Sequence, residues 1–224
     1  MQKLSIVTGA SSGIGRAICR TLVNHGYPVL GISRNIEKLQ TLKAINPEKI
    51  QILEADLSSE QDLLNIINQV GNTPIQFLVH NAATLGPTGD LKDVQLKDFK
   101  KTLAINLEAP FFLTKSLTPN LKNNGRVLHI SSGFAHMAPR GLASYCISKA
   151  AFYKLYECFK SELQEDAIAI SSLIPGVVDT PMQETLRSLT EKQFPEVKTF
   201  ISLKEKNKLY RSSMKNRKKV CNVM

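Results

Sequence analysis

Short apolar runs alternate with longer amphipathic segments along the first three quarters of the chain. Most of the runs are continuously apolar and do not alternate with polar residues, which is typical of strands that are covered on both faces. Six such runs occur, at residues 3–7, 28–33, 49–55, 75–81, 125–131 and 167–174. They predict a sheet of about six strands.

The segments between the runs have the period of amphipathic helices. The first, residues 15–26, places Ile18 and Leu22 on one face and ends on Gly26, a residue common just after a helix. Alternating strands and helices predict an α/β fold with one doubly wound parallel sheet. Ligands of such sheets bind at the carboxyl ends of the strands, so motifs at those ends matter most.

Length and charge restrict the function classes. The 224 residues, 42% hydrophobic and 21% charged, predict one globular domain. The net charge of +10 is concentrated near the end: residues 201–224 hold eight Lys/Arg and one acid, against 21 Lys/Arg and 18 acids in residues 1–200. A nearly balanced body argues against a basic groove, so we expect no nucleic-acid partner.

The cysteines and the chain start bear on location. Cys19, Cys146, Cys158 and Cys221 form no C-x-x-C pair and no metal-ligand spacing with the four histidines, so we expect reduced thiols and no metal site. No apolar run is long enough to span a bilayer, and the start lacks a signal-peptide layout. These observations predict a cytoplasmic protein without a membrane partner.

A glycine-rich turn, "TGASSGIG", follows the first strand and opens the first helix. Gly9, Gly13 and Gly15 leave room for a pyrophosphate to approach the helix N-terminus, where free N–H groups and the helix dipole favour an anion. At the end of the second strand stand Ser33 and Arg34, where an acidic residue would bind a ribose 2′-hydroxyl. A guanidinium suits a 2′-phosphate, so we predict NADP(H) as the cofactor.

Tyr145 and Lys149 form the candidate catalytic pair. They lie four residues apart in a helical stretch and hence on one face. An ammonium about 4.5 Å from the phenol would lower its pKa by roughly 2–3 units, into a useful range for proton transfer. Ser131 and Ser132 end the preceding strand, so a hydroxyl from there reaches the same substrate oxygen.

In combination, these motifs resemble a classical short-chain dehydrogenase/reductase over residues 2 to about 205. The resemblance implies a single-domain Rossmann-like fold at 1–205, followed by an atypical basic tail at 206–224. It rests on T-G-x-x-x-G-x-G at 8–15, "ADL" at 55–57, "HNAA" at 80–83, Asn106, "ISS" at 130–132, Y-x-x-x-K at 145–149 and "PGVVDT" at 175–180. The third motif departs from the family, because Ala83 replaces a glycine.

The resemblance also implies roles for the catalytic residues. Tyr145 would be the general acid, Ser132 would hydrogen-bond the substrate oxygen, and Lys149 would lower the tyrosine pKa and hold the nicotinamide ribose. Asn106 would anchor a water that relays protons to Lys149. His80 and His129 lie in predicted strands, and we expect structural roles for them.

The cofactor residues implied by the resemblance extend along the strand ends. Besides the catalytic pair they are Gly9, Ser11, Ser12, Gly13, Ile14, Gly15, Ser33, Arg34, Asp56, Leu57, Asn81, Ala82, Pro175, Gly176, Val178 and Thr180.

Within the family, "HNAATLGPTGDL", "PGVVDTPMQETLR" and "FPEVKTFISLKE" resemble the sepiapterin reductase and benzil reductase branch. That implies reduction of a small dicarbonyl or hydroxyketone. No acid follows Glu205, which weighs against a pterin. Phe134, Met137 and Met182 are substrate-pocket candidates or, alternatively, loop packing residues. A regulator that binds NADP without turnover is the other function considered.

Two features bear on partners and on the chain end. Helices around 98–117 and 144–163 carry surplus aromatics, which the core alone could absorb. The resemblance implies that these two helices pair with those of a second copy across a two-fold axis, so we expect a homodimer. After residue 209 we expect, by resemblance, a helix and a seventh strand beside 167–174, but neither is evident. An altered or truncated C-terminus is one interpretation. The other is a lipid anchor at Cys221, whose last four residues have the C-a-a-X form after a basic stretch.

Overall fold

A computed structural model describes residues 3–206 and 210–211 of the chain. Each of the six apolar runs forms a strand whose ends fall within two residues of the predicted ones. The strands are β1 Leu4–Thr8, β2 Val29–Ser33, β3 Ile50–Glu54, β4 Ile75–His80, β5 Arg126–Ile130 and β6 Ala169–Leu173. The prediction of an α/β fold with six core strands is confirmed.

The six strands form one parallel sheet in the order β3-β2-β1-β4-β5-β6. The chain builds outward from β1 in one direction and from β4 in the other. The order therefore reverses between these two central strands, which is where doubly wound sheets bind their ligands.

Helices cover both faces of the sheet. Residues of α1 and α2 pack on one face and residues of α3, α5 and α6 on the other, in two separate clusters of buried aliphatic and aromatic side chains. The helices are α1 Gly13–Asn24, α2 Ile36–Lys43, α3 Glu60–Val70, α4 Leu96–Leu103, α5 Ala109–Leu121, α6 Ala143–Glu162, α7 Pro181–Arg187 and α8 Val197–Glu205.

A third, smaller cluster lies beyond the sheet. Leu186 of α7 and Phe200 of α8 pack with Phe194 and Leu142 against the ring of Tyr145. The segment that carries α7 and α8, residues 181–205, thus has its own apolar core, and we call it the α7–α8 lobe. Its attachment to Tyr145 places it over one end of the sheet.

A π-helical turn, Ala104–Glu108, joins α4 to α5. The sequence predicts one continuous helix around 98–117, so this break was missed. Asn106 lies in the middle of the turn and is 1% exposed. Single π turns inside helices often mark functional sites, because the extra residue alters the local backbone pairing.

The two strand histidines lie in the core. His80 Nε2 is 2.8 Å from Thr114 Oγ1, and burial lowers the pKa of His80 to about 3. The ring of His129 stacks on Phe152 at 4.4 Å, and burial lowers its pKa well below the usual value. Both rings are therefore neutral, and their surroundings agree with structural roles.

The C-terminal region adds a two-residue ladder outside the main sheet. Val178–Asp179 (β7) pairs in parallel with Tyr210–Arg211 (β8). Among the described residues no seventh strand pairs with β6. Most of the predicted basic tail, including the proposed lipid-anchor cysteine, lies outside those residues. In the part of the chain that is described, no helix has the length and apolarity needed to cross a bilayer.

Candidate active site

A cavity of about 530 Å³ opens between the carboxyl ends of β1 and β4. Most of the predicted cofactor and catalytic residues line it. They are Gly9, Ser11, Ser12, Gly13, Ile14, Ser33, Arg34, Asp56, Leu57, Asn81, Ala82, Ser132, Tyr145, Lys149, Pro175, Gly176, Val178 and Thr180. Motifs as distant in the chain as Gly9 and Thr180 thus meet at one edge of the sheet.

Hydrogen bonds between the ends of β1 and β4 form the floor of the cavity. The Thr8 hydroxyl accepts from the N–H groups of Asn81 and Ala82, both at 3.1 Å, and donates to the Val79 carbonyl at 3.3 Å. In return the Asn81 side chain donates to the carbonyls of Thr8 and Gly9, at 3.0 and 3.2 Å. The glycine turn is thereby fixed to the neighbouring strand.

At two positions of the turn, neighbouring atoms come so close to the backbone that only glycine fits. A Cβ on Gly9, where φ is +67°, would lie 2.7 Å from the Asn81 amide nitrogen. A Cβ on Gly15 would lie 2.3 Å from the Gly9 carbonyl oxygen. Gly15 is predicted as a cofactor residue, but it does not line the cavity. Its position beneath the turn instead allows α1 to pack closely against it.

The N-terminus of α1 faces the cavity. Its cap residue, Ser12, makes no side-chain hydrogen bond to the helix, and the first turn holds no acidic residue. The first N–H groups are therefore available to an anion. Gly13 lies opposite Thr180, whose methyl carbon would be 3.0 Å from an added Cβ. Small side chains are needed here because the two walls of the cleft are so close.

One end of the cavity carries polar groups from β2 and the turn after β3. The Ser33 hydroxyl donates to Ser11 Oγ at 2.8 Å, and Arg34 Nη1 lies 3.9 Å from Asp56 Oδ2. The Arg34 side chain is 60% exposed. Hydrogen bonds from Ser58, together with the Arg34 and Lys101 charges, outweigh desolvation and lower the pKa of Asp56, which is ionised at neutral pH.

The opposite end carries the predicted catalytic groups. Tyr145 and Lys149 lie one turn apart on α6, and Ser132 follows β5. Tyr145 is 6% exposed and Lys149 is 3% exposed, and both line the cavity with Ser132. The Lys149 ammonium lies 5.9 Å from the centre of the Tyr145 ring and donates to the Ile130 carbonyl at 3.0 Å. The three predicted groups therefore converge on one point of the cavity wall.

The predicted lowering of the Tyr145 pKa is wrong for this structure. Burial raises the pKa of Tyr145 to about 12, although the hydrogen bond from Ser132 acts in the opposite direction. The Lys149 charge does not overcome this effect, because the ammonium is directed to the Ile130 carbonyl. Tyr145 is accordingly a neutral phenol at physiological pH, a form that donates a proton and does not accept one.

Lys149 is itself strongly affected by its surroundings. Burial lowers the pKa of Lys149 from 10.5 to about 8, because the ammonium loses its hydration. Its Nζ lies 4.8 Å from the centre of the Phe152 ring. The cation–π attraction to this ring replaces part of the stabilisation that the ammonium loses with its hydration shell. The lysine is thus a cation at pH 7 but one that can release its proton near neutrality.

Asn106 is held in the π turn by hydrogen bonds of its side-chain amide. Its Oδ1 accepts from the Thr84 N–H at 2.8 Å, while Nδ2 donates to the Thr84 carbonyl and to Ser148 Oγ, both at 2.9 Å. Both hydrogens of the side-chain amide are thereby used, and its oxygen accepts one bond. The relay role of Asn106 stays a prediction.

The three substrate-pocket candidates have different surroundings. Met182 lines the cavity, and Phe134 contacts the Tyr145 ring edge-on with centroids 6.2 Å apart. Met137 does neither: it is 56% exposed and lies away from the cavity lining. The structure therefore favours Met182 and Phe134 over Met137. Ser131 also reaches the cavity, but it is the Ser132 side chain that affects the pKa of Tyr145.

Several lining residues were missed by the sequence analysis. Thr84, Leu85 and Gly86 follow the "HNAA" motif, and Gln183 follows "PGVVDT". Their nearness to recognised motifs is the only signal that could have identified them, since none is a titratable group. Ile105 was also missed, because its place beside the cavity depends on the π turn.

The cavity suits an extended dinucleotide. The unblocked N-terminus of α1 lies midway along it, Arg34 and Asp56 lie at one end, and Tyr145 lies at the other. The tight glycine contacts would be disturbed by any Cβ. These features would place a pyrophosphate centrally, an adenosine at the end near Arg34 and a nicotinamide near Tyr145.

Comparison with known proteins agrees with this geometry. The family model described as short chain dehydrogenase matches residues 3–191. A benzil reductase ((S)-benzoin forming) from Bacillus cereus is 32% identical over 216 residues, which cover 91% of this chain and 87% of that protein. A 3-oxoacyl-[acyl-carrier-protein] reductase from Rickettsia prowazekii is 34% identical over 195 residues, 85% of this chain and 78% of that one.

A solved structure is similar over nearly the whole fold. The crystal structure of a short chain dehydrogenase/reductase from Saccharomyces cerevisiae has a TM-score of 0.87 and 30% sequence identity, covering 94% of this chain and 86% of that one.

Replacing Lys149 with methionine should stabilise the fold while it removes the ammonium. We expect the free energy of unfolding at pH 7 to rise by about 1–3 kcal/mol, because the buried cation disfavours the folded state. The gain should shrink between pH 8 and 10.5, where the folded wild type has lost the proton and the unfolded chain still holds it. Denaturant titrations at pH 7 and 10.5 measure the difference.

The matched control is Lys154→Met, in which a lysine that is 72% exposed is replaced on the same helix. It should change stability by less than about 0.5 kcal/mol at either pH. A Lys149→Met variant less stable than wild type at pH 7 would show that the ammonium stabilises the fold.

Proposed function

Because this chain belongs to the short-chain dehydrogenase/reductase family and is an oxidoreductase that uses a nicotinamide dinucleotide, we propose that it reduces a small dicarbonyl or hydroxyketone with NADPH. The observation that carries the proposal is a buried, protonated Tyr145 that lines the end of a dinucleotide-sized cavity together with Ser132 and Lys149. A neutral phenol there can donate a proton to a carbonyl oxygen.

Tyr145 and Ser132 supply the acid side of the reaction. The substrate oxygen lies between the two hydroxyl groups, and the phenol donates its proton as negative charge develops on that oxygen. A reduced nicotinamide supplies the hydride. Since the pKa of Tyr145 is raised to about 12, the phenol carries its proton at neutral pH, as a general acid in the reductive direction requires.

Lys149 restores the proton on Tyr145. As a cation it stabilises the phenolate that remains after transfer, and its lowered pKa, about 8, allows it to pass a proton onward. Asn106 holds the adjoining loop through Thr84 and ties the π turn to α6 through Ser148. We assign to Lys149 and to the main chain around Asn106 the path by which protons reach the site.

The cofactor is held by the strand ends. The N-terminus of α1 and Gly9–Gly13 would bind the pyrophosphate, Asp56 and Leu57 would flank the adenine, and Val178 with Thr180 would orient the nicotinamide. Arg34 is the group that selects NADPH, because a guanidinium gains charge-assisted hydrogen bonds with a 2′-phosphate.

The substrate side is apolar. Leu85 and Met182 line it together with Tyr145, and Phe134 and Phe200, with ring centroids 6.1 Å apart, belong to the same apolar cluster as Tyr145. Such walls favour an uncharged, aryl- or alkyl-substituted diketone. This chemistry matches the substrate named for the similar Bacillus cereus benzil reductase and gives no ion pair to a pterin.

Tyr145→Phe should abolish turnover and spare cofactor binding. We expect kcat with benzil or 1-phenyl-1,2-propanedione to fall by about 10²–10⁴-fold, because the proton donor is lost. The dissociation constant for NADPH should change by less than about twofold, since the hydroxyl that is removed is only a small part of the surface that would contact NADPH. NADPH oxidation is followed by absorbance and binding by fluorescence.

Wild type that binds NADPH but reduces no dione, sepiapterin or 3-oxoacyl thioester would instead support a cofactor-sensing regulator without turnover. Activity confined to the thioester would move the substrate class to that named for the Rickettsia relative.

Arg34→Ala should remove the preference for NADPH. We expect the KM for NADPH to rise about tenfold while the KM for NADH stays within about twofold, because only the phosphorylated cofactor uses the guanidinium. Arg20→Ala is the matched control, since Arg20 is exposed and lies outside the cavity lining. Equal rises with both cofactors would contradict the assignment.

We also propose that the protein is a homodimer. Phe111 of α5 and Ile147 of α6 are 47% and 49% exposed, and Phe111 stacks on Phe159 with centroids 5.8 Å apart. A second copy would cover these side chains by helix pairing. The cytoplasmic location and the boundary between domain and tail stay predictions.

Phe111→Lys should dissociate the dimer. We expect light scattering to show a dimer of wild type at micromolar concentration and a monomer of the variant, because the lysine would be desolvated in the interface. Leu96→Lys on α4, where the leucine is 67% exposed, is the control and should leave the mass unchanged. A monomeric wild type would refute the proposal.

A further inference from the structure

Asp179 joins three elements behind the cofactor cavity. It lies in β7 between two residues that line the cavity, Val178 and Thr180. Because neighbouring side chains of a strand point to opposite sides, Asp179 faces away from the cavity. There its two carboxylate oxygens bind Arg187 of α7 and Lys204 of α8. We call these three residues the Asp179 clasp.

Arg187 makes the clasp more than a surface ion pair. Its side chain is only 11% exposed, and Nη2 donates to Asp179 Oδ1 at 3.1 Å. The other terminal nitrogen, Nη1, is buried and has no hydrogen-bond partner within the described residues. Loss of the carboxylate would therefore leave a buried cation without its ion-pair partner, which is far less favourable than loss of an exposed pair.

Lys204 extends the connection to the second helix of the lobe. Its ammonium contacts Asp179 Oδ2, and this bond, followed by that of Arg187, outweighs desolvation and lowers the pKa of Asp179. The carboxylate is thus ionised throughout the neutral range. One carboxylate thus connects β7, α7 and α8, in addition to the small apolar cluster of the lobe.

The location of the clasp connects it to the cofactor site. Thr180, the next residue, begins α7 and accepts a hydrogen bond from the Gln183 N–H at 3.4 Å. Gln183 and Met182 both line the cavity. A shift of α7 would therefore move the wall on which the nicotinamide end of the cofactor rests.

We propose that Asp179 is a positioning residue that fixes the α7–α8 lobe over the cofactor through Arg187 and Lys204. The inference rests on the proposed cofactor site, but it concerns a residue that touches neither cofactor nor substrate. It accounts for a carboxylate that faces away from the reacting groups and a largely buried arginine on a lobe that lies outside the sheet.

The test compares Asp179→Asn with Asp166→Asn. Asp166 pairs with Lys122 at 2.9 Å, and its 30% exposure is close to the 28% of Asp179, but it lies far from the cavity lining. We expect Asp179→Asn to raise the KM and the dissociation constant for NADPH about tenfold with kcat within about threefold. Asp166→Asn should leave all three constants within twofold of wild type.

Further variants separate positioning from folding. Asp179→Glu, which keeps the charge, should recover most of the NADPH affinity. Lys204→Met should weaken NADPH binding less than Asp179→Asn and should have no added effect in the double variant, because both changes break the same contact. If Asp179→Asn folds poorly, the NADPH affinities of Asp179→Glu and Lys204→Met still test whether the clasp positions the lobe.

The possible failures are distinguishable. If wild type binds NADPH but reduces no dione, the proposed substrate is wrong and the clasp is still tested by the NADPH dissociation constants. If wild type is active and Asp179→Asn behaves like Asp166→Asn, the clasp is refuted. Independent effects of Lys204→Met and Asp179→Asn would refute it as well.

Discussion

The hydrogen bonds of Thr8 connect the two strands between which the site opens. Its hydroxyl holds the N–H groups of Asn81 and Ala82, and the Asn81 amide returns two bonds to the glycine turn. The strand order reverses between β1 and β4, because β2 and β3 follow on one side and β5 and β6 on the other, and such a reversal leaves a crevice at the carboxyl ends of the two central strands. The turn, the helix N-terminus and the cavity all depend on this connection being rigid.

Around that cleft, burial sets the chemistry of the reacting groups. Tyr145 and Lys149 are both nearly inaccessible, so the phenol keeps its proton and the ammonium holds its proton weakly. These two shifts have one cause, the loss of hydration by the charged form. They also leave the chain with a buried cation at neutral pH, an arrangement that lowers stability and makes proton release possible.

The remaining walls come from segments with their own cores. The α7–α8 lobe packs against Tyr145 through a small apolar cluster and is held from behind by an ion-pair network. The π turn at Asn106 holds the loop after β4 and is bonded to α6 through Ser148. The sheet thus fixes one half of the cavity, while separately attached segments determine the shape of the other half.

The sequence alone determined the six strands, the glycine turn and the Tyr145–Lys149 pair, because these depend on local periodicity and on spacing within one element. The tertiary structure decided what depends on distant neighbours. It placed Met137 in solvent and Gly15 beneath the turn, and it interrupted a predicted helix at Asn106. It also reversed the expected pKa shift of Tyr145. Desolvation is a sum over all the residues that surround a group, and no spacing along the chain contains that sum.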